Sequence, residues 1–354
     1  MAEGVFRSFG SDNNSGACPE VMEALIASNR DHAVGYGADP WTARACEAFK
    51  AIFGPESETF FVFNGTGANV LGLSLAAGQG QSVLCAEGAH IAVDEAGAPE
   101  ANLGCKVLPL ASSQGKIEAG ALKEALGPLG NFHHSQPSCL SISQPTELGT
   151  LYSMKELAEL ISIAHGAGLM VHMDGARYAN AAVALGVNLA GLASGLDLLS
   201  FGGMKNGVAF GEALVVLKGG LARRAPYLRK TRLQLASKMR FISAQFLAML
   251  GDGASEPLWL RSARHANAMA ARLRSQLDEA VAAGRIRGLA FTQPTHANAV
   301  FATLPAGVAD RLREAYRFYD WNPATGEVRW VCSFDTAEED IDAFTAAIER
   351  ELAA

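Results

Sequence analysis

Residues 168–207 read GLMVHMDGARYANAAVALGVNLAGLASGLDLLSFGGMKNG, and they hold two short apolar runs, each closed by polar residues. Leu169 to Met173 predicts a buried strand, with Asp174 and Arg177 just past its carboxyl end. Leu196 to Phe201 predicts a second strand that ends in Gly202, Gly203, Met204 and Lys205. In an open parallel sheet, ligands collect outside the carboxyl ends of the strands. Two such strands bring a carboxylate, a guanidinium and an amine to one rim.

The same alternation continues toward the N-terminus. Phe60–Phe63, Val83–Ala86, Val107–Leu110 and Cys139–Ser143 are predicted strands; the first, third and fourth lead on to helical segments, and the second to the loop EGAHIAVDEAG. Pro19 opens a helix through about Ser28, and Asp39-Pro40 caps another that ends near Gly54. Ser153 with Glu156 predicts a capping box for a helix closed at Gly166. Repeated strand–helix–strand spacing means a mostly parallel sheet covered on both faces. After Lys205 the pattern changes. One more strand, Ala213–Leu217, precedes a basic segment and helices running to about Ala283. Short strands (Leu289–Thr292, Ala299–Ala302, Val328–Cys332) then alternate with helices at Val308–Tyr316 and Glu338–Leu352. The expected division is a large α/β domain over 1–250 and a smaller α+β domain over 251–354.

Composition narrows the function. The 354 residues are 49% hydrophobic and 18% charged, which describes a compact protein with a large core. A net charge of −7 without a basic stripe argues against binding a phosphate backbone. No apolar run approaches the roughly 20 residues a membrane span needs, so a cytoplasmic location is expected. The cysteines (18, 46, 85, 105, 139 and 332) show neither CxxC nor metal spacing and read as small buried hydrophobes, with no metal expected.

Three further features carry chemistry. Phe63-Asn64-Gly65-Thr66-Gly67-Ala68-Asn69 is a glycine-rich turn between a strand and a helix, offering backbone N–H groups, a hydroxyl and the positive end of a helix dipole. It completes neither a Walker loop nor GxGxxG, so a single phosphomonoester fits it better than a nucleotide; a plain tight turn fits as well. His90 follows a predicted strand and could stack on a planar group or move a proton, although a loop histidine is commonly idle. His133-His134 stands under the same two readings. Lys205, alone, reads as a surface lysine. Flanked by glycines and beside Asp174, it suits a Schiff base with pyridoxal 5'-phosphate, the carboxylate keeping the ring nitrogen protonated.

In this order and at these separations, FNGTGAN, AEGAH, HMDGAR and SFGGMKNG resemble the motifs of the low-specificity L-threonine aldolases. The similarity runs from SDNNSG (11–16) to VRWVCSFDT (328–336), essentially the whole chain. It implies PLP fold type I, the aspartate-aminotransferase-like arrangement, with a mostly parallel seven-stranded sheet and a small C-terminal α+β domain. It implies that Lys205 forms the Schiff base, that Asp174 pairs with the pyridine nitrogen and that His90 stacks on the ring. Gly65, Thr66, Gly67 and Asn69 fall where phosphate and ring contacts are expected, and Arg177 where the phenolate oxygen or the substrate carboxylate lies. His133 would lie near the substrate's β-hydroxyl. Ser11 and Arg329 match the residues that hold the α-carboxylate. Lys230 and Arg240 lie in the segment that, in relatives, reaches a phosphate across the subunit interface, and Tyr36 matches a tyrosine near the neighbouring subunit's site. One position departs: Met204 stands where close relatives have Thr or Ser, and it cannot replace their hydroxyl.

The implied activity is reversible cleavage of a β-hydroxy-α-amino acid, such as threonine, allo-threonine or phenylserine, to glycine and an aldehyde by a homodimer or homotetramer with shared active sites. His90 or His133 would take the hydroxyl proton. Two alternatives stand beside it. Another PLP lyase or racemase would use the same lysine and aspartate, and a cofactor-free scaffold would have kept only the fold.

Overall fold

The computed structural model describes residues 8–353, apart from 252 and 254. Residues 1–7, with which the expected large domain begins, lie outside it. In the first 216 residues the strands are β1 (Glu58–Val62), β2 (Gln81–Ala86), β3 (Lys106–Leu110), the short hairpin β4 (Ser112–Ser113) and β5 (Lys116–Ile117), β6 (Gln136–Ser143), β7 (Met170–Gly175), β8 (Leu198–Phe201) and β9 (Glu212–Val216). Seven of them make one sheet in the order β1-β9-β8-β7-β6-β2-β3. Only β9 runs against its neighbours, pairing antiparallel with both β1 and β8. The other six strands therefore point the same way and deliver their carboxyl ends to one rim.

The continuous apolar strands are explained by burial on both faces. Leu198, Leu199 and Phe201 of β8 are all buried. The helix Gly65–Ala76 packs across β7, β8 and β9, and nearly all its residues from Gly67 onward are buried. On the other side, Phe49 of the helix Pro40–Phe53 meets Phe201 edge-on at 5.3 Å between ring centroids, and Phe246 lies 5.2 Å from Phe61. The expected helix caps are present: Asp39 accepts from the Thr42 N–H, and Ser153 and Glu156 form the reciprocal capping box. That helix stops at Gly166 as expected, but Ala167 is its cap and the left-handed glycine is Gly168, at φ 79°.

The C-terminal part has its own sheet, formed by β10 (Ala290–Phe291), β11 (Ala299–Thr303), β12 (Tyr319–Asn322) and β13 (Glu327–Val331) in the antiparallel order β10-β11-β13-β12. β12 is not among the expected strands. It is a four-residue edge strand with a polar YDWN pattern next to Pro323, too short for periodicity to mark it. The predicted helix over 308–316 ends sooner, at Arg313. The 25-residue helix Leu258–Ala282 ties the two sheets together. Its Trp259 and Ala263 belong to the core of the large sheet, while Met269, Leu273 and Leu277 belong to that of the small one. Phe9 also packs into the second core, stacked 4.3 Å from Phe344.

The turn after β8 needs glycine for a steric reason. A Cβ on Gly202 would stand 2.3 Å from the Ala176 carbonyl oxygen and 2.7 Å from that of Gly175, both backbone atoms that cannot swing aside. Gly207, at φ 100°, ends the short 3-10 turn Met204–Asn206 against the sulfur of Cys18. Gly202→Ala is expected to destabilise the protein by about 1–3 kcal/mol, the usual cost of overpacking. Urea denaturation checks this, and an unchanged midpoint would contradict the close approach.

Candidate active site

One cavity lies at the carboxyl rim, over the ends of β6, β7 and β8, and the glycine-rich turn after β1 closes one side of it. Asp174, the penultimate residue of β7, faces Ser143 and Ser200 in register on the neighbouring strands. Its Oδ2 accepts from Asn69 Nδ2 at 2.9 Å and its Oδ1 from the Ala176 N–H at 3.1 Å, so the carboxylate is held from two sides. Beneath it, His172 is sandwiched between the hydroxyls of Ser141 and Ser200, and burial drives its pKa down to about 4. That ring is neutral at physiological pH and serves as packing, with no access to the cavity.

Asn69 has a second partner. Its amide nitrogen also donates to Glu95 Oε1 at 2.8 Å, and the same oxygen lies 2.9 Å from His90 Nδ1. A chain therefore runs from His90 through Glu95 and Asn69 to Asp174. The His90 pKa is raised, first by the hydrogen bond to Glu95, which favours imidazolium. His90 is not on a loop as expected; it begins the short helix His90–Val93, and its part-exposed ring lines the cavity.

Asn64 caps the helix Gly65–Ala76 by accepting the Gly67 N–H at 2.7 Å. The N–H groups of Gly65 and Thr66, on the first turn, have no partner within the helix, and both residues line the cavity. Gly67 itself faces away from the cavity toward the Gln234 amide, which also accepts from the Phe63 N–H. Gly67 is not among the residues that line the cavity within one chain. Asn69 orients the two acids.

Lys205 lines the cavity, and its ammonium has no hydrogen bond or ion pair among the described residues. Its pKa is lowered, by burial first and by Arg177 next, so more of it is the nucleophilic free amine. Glu212 of β9 grips its turn from below by accepting from the backbone N–H groups of Gly203 and Met204. Met204 thus contributes a backbone contact that needs no hydroxyl. Burial pushes the Glu212 carboxyl up to about 8 from an ordinary 4.5. A raised carboxyl holds its proton more tightly in the folded state. Its stabilisation is therefore full below 4.5 and is lost as pH climbs to about 8. Glu212→Gln is expected to flatten that limb by on the order of 1–3 kcal/mol between pH 5 and 8.5, read from urea midpoints. Parallel wild-type and variant curves would contradict it.

Arg177 lines the cavity but is bound bidentately to Asp12, Nε to Oδ2 at 2.7 Å and Nη2 to Oδ1 at 2.9 Å. Asp12 accepts further from Asn298 at 3.0 Å, which locks the N-terminal arm onto both cores. Glu147, in the turn after β6, is a fourth carboxylate on the wall beside Glu95, Asp174 and Glu212. Glu95, Glu147 and Glu212 are not among the residues that the sequence singled out. Each does follow or occupy a strand end at this rim, and that position was the available signal.

The remaining expected residues do not line this cavity within one chain. Ser11 caps a 3-10 turn, its Oγ accepting from the Asn13 N–H at 3.1 Å, and it faces a separate shallow cleft. The Arg329 guanidinium lies 5.0 Å over the Trp321 ring and donates to the Gly10 carbonyl at 3.4 Å. Tyr36 is 57% exposed at φ 60°, with the Lys230 ammonium 5.2 Å from its ring, and Arg240 donates to the Asp31 carbonyl at 3.0 Å. His133 is exposed and stacked on Phe132 at 4.0 Å between centroids. It precedes β6, so it sits at the amino edge of the sheet, opposite the rim that holds Lys205. Its expected place beside the reacting atoms is therefore not met within one chain.

The donor set fits pyridoxal phosphate. A helix N-terminus with free N–H groups, a fixed carboxylate, an imidazole and an unpaired amine line one cavity, and buried Asn69 Oδ1 and Glu95 Oε2 are left without protein partners. Among the described residues no cluster of His, Cys, Asp or Glu could hold a metal ion. Comparison with known proteins agrees with this geometry. Residues 8–305 match the sequence family described as beta-eliminating lyase. The chain is 40% identical over 352 residues to the low specificity L-threonine aldolase of a Pseudomonas species, covering 98% of this chain and 99% of that one. It is 40% identical over 339 residues to the corresponding protein of Pseudomonas aeruginosa, covering 95% of each. The solved threonine aldolase of Leishmania major superposes with a TM-score of 0.89 at 28% identity, over 97% of this chain and 98% of that one.

Proposed function

The chain belongs to the beta-eliminating lyase family, and from that premise we propose that it is a pyridoxal-phosphate-dependent aldolase. It reversibly cleaves L-β-hydroxy-α-amino acids, threonine and its analogues, to glycine and an aldehyde. The observation that carries this reading is the convergence of Lys205, Asp174, His90 and the first turn of the helix Gly65–Ala76 on one cavity. Bound there, pyridoxal phosphate supplies the electron sink that accepts the Cα–Cβ pair when that bond breaks. Lys205 would hold the cofactor, its unpaired amine being the group able to form and release a Schiff base. Asp174 keeps the ring nitrogen protonated, with Asn69 and the Ala176 N–H fixing its direction. Gly65 and Thr66 donate to the phosphate, and His90 covers the ring face. Arg177, with Ser11 and Arg329 after local adjustment, binds the α-carboxylate.

Tyr36, Lys230, Arg240 and His133 act, in this proposal, across subunit interfaces of a homodimer or homotetramer. Exposed apolar side chains support that reading: Ile26, Val34 and Tyr36 on one segment, Tyr227 and Leu233 on the other, and Phe132, 88% exposed, beside His133. A cytoplasmic location fits six free cysteines, five of them buried. No helix among the described residues is long and apolar enough to cross a membrane. Two separate apolar cores support a division into 1–250 and 251–354, with the helix Leu258–Ala282 as the tie.

The test is an absorption spectrum of the protein with pyridoxal phosphate before and after glycine, followed by product analysis with L-threonine. A visible-edge band that moves to longer wavelength with glycine, and release of glycine plus acetaldehyde, are expected. Pyruvate with ammonia, or the inverted amino acid, would replace this reading with elimination or racemisation.

A further inference from the structure

We propose that Glu147 is the base that removes the proton of the substrate's β-hydroxyl. The inference rests on the aldol reading above and goes beyond it: within one chain His133 lies away from this cavity, and His90, which lines it, is already bonded to Glu95. Of the four carboxylates on the cavity wall, three are occupied. Asp174 is held by Asn69 and Ala176, Glu95 by Asn69 and His90, and Glu212 by the backbone of the lysine turn. Glu147 alone has no hydrogen bond or ion pair among the described residues.

Its position is as telling as its freedom. Glu147 and Ser143 line two cavities at once: the one that contains Lys205 and Asp174, and an adjoining one of about 250 Å³ with an apolar side formed by Ala86, Ala89, Leu148 and Trp321 and a polar side formed by Glu87, Ser112 and Gln114. A β-hydroxy amino acid must place its amine by Lys205 and the substituent on Cβ in apolar surroundings. The hydroxyl-bearing carbon then falls at the junction, against the wall that Glu147 forms. The turn that carries it is rigid. The Gln144 side chain is bonded to both the N–H and the C=O of Tyr152, Thr146 and Thr150 bond through backbone and hydroxyls, and Gly149 at φ 69° seats on Phe301. A base held this way pays little to reorganise.

Electrostatics distinguish the candidates. Burial first, and Asp174 second, raise the Glu147 pKa, which makes its carboxylate a stronger base than an ordinary one. His90 is shifted the opposite way for this task, since Glu95 favours its imidazolium form. In the cleavage step the O–H bond breaks and its proton passes to the Glu147 carboxylate. The O–H pair closes the C=O bond of the aldehyde, and the Cα–Cβ pair passes to Cα and the electron sink. A proton delivered to Cα completes glycine, and in synthesis Glu147 returns its proton to the new hydroxyl.

The test compares two reactions of the holoenzyme, because glycine has no β-hydroxyl. Glu147→Gln is expected to lower kcat for L-threonine cleavage by about 10²–10⁴-fold, the usual worth of a general base. Exchange of the glycine α-hydrogen with deuterium oxide, followed by NMR, and the glycine Kd are expected to stay within about threefold of wild type. The acid limb of the wild-type kcat/KM profile, set by Glu147 facing Asp174, Lys205, Arg177 and His90, is expected to vanish in Glu147→Gln. Cleavage within threefold of wild type would overturn the proposal. So would a parallel loss of cleavage and exchange, which would make Glu147 a structural or cofactor contact. If Glu147→Gln does not fold, Glu147→Asp decides: reduced cleavage with retained exchange supports the role, and unchanged cleavage rejects it. A wild-type enzyme that exchanges no glycine hydrogen would instead remove the aldol reading itself.

Discussion

Lys205→Ala is expected to lose aldol cleavage by about 10³-fold or more, the scale on which removal of a covalent or charge-stabilising group is felt, while the fold survives. The second half of that expectation comes from the structure. The Lys205 ammonium has no hydrogen bond or ion pair among the described residues, so truncation breaks no network. Burial and Arg177 disfavour its charged form, and removing it relieves that penalty. Glu212 continues to hold the turn through the backbone of Gly203 and Met204, which the substitution leaves in place. Thermal unfolding near that of wild type, together with loss of both turnover and the visible cofactor band, is the expected pair of results. Wild-type turnover in Lys205→Ala would sink the assignment of this lysine.

Asp174→Asn is expected to cost about 10²–10³-fold in kcat, the range for loss of one preorganised electrostatic partner, with the fold again intact. The amide has nearly the same shape and can still accept from the Ala176 N–H, but it carries no charge to keep a ring nitrogen protonated. A second readout separates this from a packing defect. Asp174 is one of the causes that raise the Glu147 pKa. Without its charge, Glu147 should ionise at lower pH, and the acid limb of the kcat/KM profile should move down. A slow variant whose acid limb stays in place would mean that the two carboxylates do not sense each other, which would weaken the single-cavity account. A variant with full activity would exclude Asp174 from the chemistry.

Much of the fold was legible in the sequence because both apolar runs that flank Asp174 and Lys205 are buried on two faces. That burial demands uninterrupted hydrophobic residues, and such runs followed by Gly-rich turns mark parallel strands and their carboxyl ends. Asp174, His90, Gly65, Thr66, Arg177 and Lys205 line one cavity at that rim. The β12 edge strand escaped notice because Tyr319–Asn322 pairs through its backbone on one side only and buries little.

The site's inner wiring was not legible. Asn69 joining Glu95 to Asp174, Asp12 clamping Arg177 across 165 positions, and Glu147 left free between two cavities are contacts between distant segments, set by strand order and register. His133 shows the limit from the other side. A motif gives a residue's place along the chain, but only the direction of β6 puts it at the amino edge, away from Lys205. The sequence by itself determined which residues reach the rim, since apolar period and turn chemistry are local. Tertiary structure decided which of them are paired and which are free to react, since hydrogen bonds and burial depend on neighbours that local pattern does not specify.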